Sequence, residues 1–78
     1  MEFPDWLKAQ RIARELSIKQ ASTKMDISAR QLLNLESGNS VPVVSTVGAI
    51  AEAYGLDDMV VFNKALAFDE SRRAKRGK

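Results

Sequence analysis

Cysteine and histidine are both absent from the chain. Disulfides and Cys/His zinc sites are therefore excluded, and so are Ser-His-Asp and Cys-His catalytic sets. No metal cluster or concave site is suggested either, so the expectation is no catalysis and no cofactor. Apolar runs are short, and none approaches the about 20 residues a membrane-spanning helix needs. The opening Met-Glu-Phe-Pro-Asp has neither the basic start nor the apolar stretch of a secretion signal. A cytoplasmic protein with no membrane partner is expected. Glycine is sparse, and Gly38, Gly48, Gly55 and Gly77 stand too far apart for a phosphate-cradling loop.

Seventy-eight residues, 45% of them hydrophobic, allow one domain with a small core. The net charge is only +2, but it is unevenly spread. Residues 1–40 sum to +1, residues 41–70 to −4 and residues 71–78 to +5. One face for an anionic partner and an acidic face turned away fit this pattern. A basic end is equally often just solvated chain.

Helical signals recur along the chain. Pro4 and Asp5 suit a first turn, and a helix is predicted over about 4–15. Trp6, Ala9, Ala13 and Leu16 form its stripe, with Leu7 and Ile12 beside it. Ser17, with Gln20 three residues on, makes a capping box for a helix over 18–25. Ala21 and Met25 face inward from it, and Ser22 is small enough to approach another backbone. Asp26 takes the turn, where aspartate tolerates a left-handed conformation. Ser28 and Gln31 repeat the capping box for a third helix that Gly38 ends. Leu32, Leu35 and Ile27 point inward. A fourth helix runs from 43 or 45 to Tyr54, with Gly48 expected to permit close packing and Gly55 as the stop. Asp57 and Asp58 can start a fifth element. Its Met-Val-Val-Phe is also strand-like, but Met59, Phe62 and Leu66 keep helical spacing and a helix is favoured. Trp6, Phe3 and Tyr54 read as core. The fold expected is all-α, a compact bundle of five short helices over 1–68. A basic, flexible tail is expected over 69–78.

Residues 17–38 carry the most information. A capped helix that turns polar side chains outward, braced by a second helix, has the geometry that enters a DNA major groove. Arg30 can pair bidentately with guanine and Asn34 with adenine, while Ala29 and Leu33 can pack on a thymine methyl. Ser17, Ser28, Ser37 and Asn39 can donate to phosphate, or serve only as caps and turn formers. Gln31 can complete its cap or reach a phosphate, and Lys19 and Lys24 can add steering charge. The apolar group over 59–68 exceeds what a small core covers. Val61, Phe62, Leu66 and Phe68 are expected at a homodimer seam, some of them shared with the core.

The ordered set Leu7-x-x-x-Arg11, Leu16-Ser17, Ile27-Ser28, Leu32, Leu35-Glu36-Ser37-Gly38, Pro42 and Ile50-Ala51-x-Ala53-Tyr54-Gly55-Leu56 resembles the phage-repressor helix-turn-helix family, Cro/CI-like or XRE. The resemblance covers about residues 6–62. It implies a lambda-repressor-like bundle that binds a palindromic operator in double-stranded DNA as a homodimer, most often as a transcriptional repressor. It also implies an ion pair between Arg11 and Glu36. Ala29, Arg30, Leu33 and Asn34 fall where members touch bases. Ser17, Ile18, Ser28, Ser37 and Asn39 fall where members touch phosphates. Ile18 stands where members usually carry glutamine, Asp26 where they carry glycine, and Ser22 where they carry alanine. A second expectation is an antitoxin of the HipB-like or HigA-like sort, which binds a toxin partner and represses its own operon.

Overall fold

The structure, a computed structural model, describes residues 1–76. Among the described residues five helices follow one another: α1 (Phe3–Ala13), α2 (Ile18–Met25), α3 (Ala29–Ser37), α4 (Val44–Tyr54) and α5 (Asp58–Arg76). There is no strand among the described residues, so the Met-Val-Val-Phe segment is helical. α3 packs against α1 and α2, α4 against α2 and α5, and α5 returns to α1.

The helix ends follow one rule. Glu15, Asp26, Gly38 and Gly55 all adopt positive φ, between 57° and 84°. Each reverses the chain so that the next amide bonds back into the helix: Leu16 to Arg11, Ile27 to Ser22, Asn39 to Asn34 and Leu56 to Ala51. At three of the four ends the residue so placed is apolar. Leu16, Ile27 and Leu56 fold back onto the core. The left-handed residue thus delivers a core side chain at the cost of about 1–2 kcal/mol where it is not glycine.

The core is Phe3, Leu7, Ala21, Met25, Leu32, Leu35, Val47, Ile50, Ala51, Tyr54, Val61 and Ala65. Several sequence expectations need correcting here. α1 stops at Ala13 rather than Glu15, because Glu15 turns left-handed at φ 57°. Its inward side is not the stripe through Ala9 and Ala13: Phe3, Pro4 and Leu7 are buried, while Ile12 and Ala13 are exposed. The inward row continues from Phe3 and Leu7 into Arg11 and Arg14, whose guanidinium groups have interior partners. Apolar periodicity misses a row whose second half is charged. Gly48 has no packing role, since a Cβ there meets nothing within 4 Å. Val61 is fully buried inside its own chain and presents no surface to a second copy. α5 crosses the expected boundary at residue 69 without a break and stays helical to Arg76. The last part of the expected tail, Gly77 and Lys78, lies outside the described residues.

Candidate nucleic-acid interface

α2 and α3 owe their starts to matched capping boxes. Ser17 Oγ accepts from the Gln20 amide at 3.0 Å, and Gln20 Oε1 accepts from the Ser17 amide at 2.9 Å. Ser28 and Gln31 repeat the exchange at 3.0 Å each way. Each box closes two of the amides that a helix start leaves open. Between them Asp26, at φ 59°, makes the turn. The buried Ser22 satisfies its hydroxyl within α2, on the Lys19 carbonyl at 3.0 Å.

One side of α3 is anchored. Leu32 and Leu35 are buried, each by an amount worth about 1.5–3 kcal/mol. Glu36 takes a forked pair of bonds from Arg11, Nε to Oε2 at 2.8 Å and Nη2 to Oε1 at 3.0 Å. Arg11 Nη1 also donates to the Leu16 carbonyl at 2.9 Å, so one side chain ties α3 to α1 and to the turn before α2. The two bonds to Glu36 push the already high Arg11 pKa higher, against desolvation. Three donors are thus committed, and Arg11 is structural.

The opposite side of α3 faces solvent. Ala29, Arg30, Leu33 and Ser37 are exposed, and Leu33 keeps 51% of its surface open. Arg30 is exposed and has no hydrogen-bond or ion-pair partner among the described residues. Asn34 sits differently. It is half-buried on the flank of α3, lining an open cleft of about 290 Å³ with Ser40, Val41, Pro42 and Thr46. The flanking candidates divide by their local bonds. Gln31 Oε1 is held by its cap, leaving only its NH₂ end. Ser37 Oγ donates to the Asn34 carbonyl at 3.2 Å. Lys19 and Asn39 are exposed, and Ile18 is half-buried against the core with its amide at the start of α2. Such amides can bind phosphate without a side-chain donor.

Arg14 was not singled out by sequence reasoning, yet it braces the same scaffold. Its Nη2 donates to the Tyr54 carbonyl at 2.8 Å, closing the end of α4, and its guanidinium lies 4.8 Å from the Tyr54 ring centre. Nη1 bonds the Gln10 carbonyl and side chain, both at 2.9 Å. The available signal was its spacing of three from Arg11. Among the described residues the buried Tyr54 hydroxyl has no hydrogen-bond partner, and burial pushes its pKa up to about 12, with Glu36 adding to the rise.

Among the described residues no three acidic side chains are grouped so as to hold a metal ion, and no helix is long and apolar enough to cross a membrane. Residues 5–61 match a family model described as a helix-turn-helix domain. Among curated proteins, none matches this chain.

Proposed function

Since the chain belongs to the helix-turn-helix domain family, of the Cro/CI-like (XRE) type, we propose that it is a sequence-specific transcriptional repressor that binds a palindromic operator as a homodimer. One observation carries the reading: α3 is held rigidly on one side by Leu32, Leu35 and the Arg11–Glu36 fork, and its other side is solvent-facing. A helix fixed this way enters the major groove with Arg30 foremost. Arg30 reads guanine, Asn34 reaches an adenine from the flank, and Ala29 and Leu33 lie against thymine methyls. The amides at the starts of α2 and α3, with Lys19, Ser37 and Asn39, meet the phosphates on either side.

A pair of subunits is supported by surplus apolar surface. Val44, Phe62 and Leu66 border a cleft of about 150 Å³ with Val41 and Pro42, and Val44 is 80% exposed. This seam uses Phe62 and Leu66 from the sequence expectation. It gives Phe68 only an edge, because that ring is half-buried against its own core. Catalysis has no part in the reading.

Selection of bound sequences from a random duplex pool tests it. The expected product is an inverted repeat whose half-sites are centred about 10 base pairs, or a multiple of that, apart. Absence of any enriched sequence overturns the reading. Phe62→Glu with Leu66→Glu should convert the dimer to a monomer in sedimentation; an unchanged dimer places the seam elsewhere.

A further inference from the structure

α5 is the longest helix among the described residues, and Phe68, one turn before its basic end, lies beside Gly38, the residue that follows α3. The Phe68 ring reaches the residue that terminates the reading helix: a Cβ built on Gly38 meets Phe68 Cζ at 3.4 Å, and Pro4 Cγ at 3.5 Å. The next basic residue along α5, Arg72, lies over that same ring, its Cζ 5.6 Å from the centre. One aromatic ring therefore separates the Arg72 guanidinium from Gly38, whose neighbours Ser37 and Asn39 are phosphate candidates. Arg73 follows, exposed and paired with Asp69 at 2.9 Å. That pair offsets one of the two acidic residues opening this segment. Lys75 and Arg76 continue the same helix. A duplex whose phosphates reach Ser37 or Asn39 comes within one aromatic side chain of Arg72.

We propose that the end of α5 is a second DNA contact, indifferent to sequence, in which Arg72 and Arg73 bind the phosphodiester backbone beside the groove that α3 enters. The proposal rests on the DNA reading above. It assigns the basic end to the duplex rather than to solvent or to the helix's own C-terminal dipole. The contact adds affinity and orientation and carries no base preference. An exposed ion pair such as Arg73–Asp69 is weak, so exchanging Asp69 for a phosphate costs little.

The test uses the full chain and duplex DNA of mixed sequence, so no operator need be known. Duplex affinity is measured across a salt series for the unaltered protein, for Arg72→Ala with Arg73→Ala, for Arg72→Lys with Arg73→Lys, and for Arg30→Ala. Each phosphate neutralised contributes about 0.9 to the slope of log affinity against log salt, so the double alanine variant should flatten it by about 1.8. The double lysine variant should keep the slope, which separates lost charge from lost packing on Phe68. Circular dichroism checks that the bundle persists. An unchanged slope in the double alanine variant overturns the proposal. If Arg30→Ala erases sequence preference on the duplex recovered by selection, the DNA reading survives that result. Absence of any salt-dependent duplex binding by the unaltered protein overturns both.

Discussion

The two ends of the molecule are built by different means. Over residues 17–38 every start and stop is local. Two Ser/Gln capping boxes open the helices, and Asp26 and Gly38 close them in left-handed turns. Over residues 43–76 two local devices, the left-handed Gly55 and the Asp57 carboxylate that accepts from the Met59 amide, are joined by a distant one and by a start with none. α4 starts at Val43 with no side-chain cap, and its end is closed by Arg14 from α1. Valines 43 and 44 stand open to solvent. A half that must hold a rigid exposed helix carries its instructions in adjacent residues. A half that closes the core, and that we propose pairs with a second copy, takes its form from what it packs against.

Mutations can sharpen or break this contrast, with Trp6, the one tryptophan, as the fluorescence probe of unfolding. The largest expected effect is Glu36→Ala. It strands the Arg11 guanidinium in a site where the two side chains keep only 12% and 6% of their surface. Breaking one partner of a buried pair costs about 3–5 kcal/mol, and denaturant unfolding should show a loss of that size. The comparison across halves is Phe62→Ala. Because 39% of Phe62 is exposed, monomer stability should fall by well under the about 3–5 kcal/mol of a buried phenylalanine. An equal loss at both sites breaks the contrast.

Caps come next. Ser28→Ala should destabilise by about 1 kcal/mol, whereas Val43→Asp should stabilise by a similar amount, because only α3 already has its cap. Gly48→Ala should add up to about 1 kcal/mol, since helix propensity improves and nothing lies within 4 Å of the new methyl. A loss at Gly48 would reveal a contact that the packing does not contain.

The smallest effect at neutral pH is expected of Tyr54→Phe, which removes a buried hydroxyl with no partner. Its signature lies at high pH. The folded-state pKa is raised from 10.0 to about 12. The unfolded chain therefore loses this proton first. The contribution is intact below pH 10 and is lost as pH climbs through about 12. Alkaline unfolding curves should show that fall in the unaltered protein, and Tyr54→Phe should lack it.

These differences explain what could be read in advance. Both capping boxes, the Asp26 turn and the buried Leu32 and Leu35 follow from neighbours within four residues, and sequence spacing finds them. The end of α1 does not follow, because nothing marks Glu15 as left-handed until Leu16 is seen folding back to the core. Apolar periodicity misses the inward row of α1 because Arg11 and Arg14 occupy its second half; the family resemblance supplies the Arg11–Glu36 pair across 25 residues, but not the bond from Arg14 to Tyr54 across 40. Val61 reads as seam because it lies in an apolar group larger than a small core covers; in the structure Val60 and Phe62 are exposed, and only the packing of α5 on α4 turns Val61 in. Arg30 and Asn34 both looked outward-facing. The structure separates them, with Arg30 in front and Asn34 on a flank shaped by the loop after α3.

The most direct trial of the account is the base preference of Arg30→Ala, measured on the duplex that selection enriches and on its single-base variants. We predict that preference falls at one base pair of each half-site, by about 1–3 kcal/mol of discrimination, while the salt dependence from the remaining phosphate contacts persists. An Arg30→Ala protein that keeps the full preference at every position contradicts the claim that the exposed side of α3 reads DNA through this arginine.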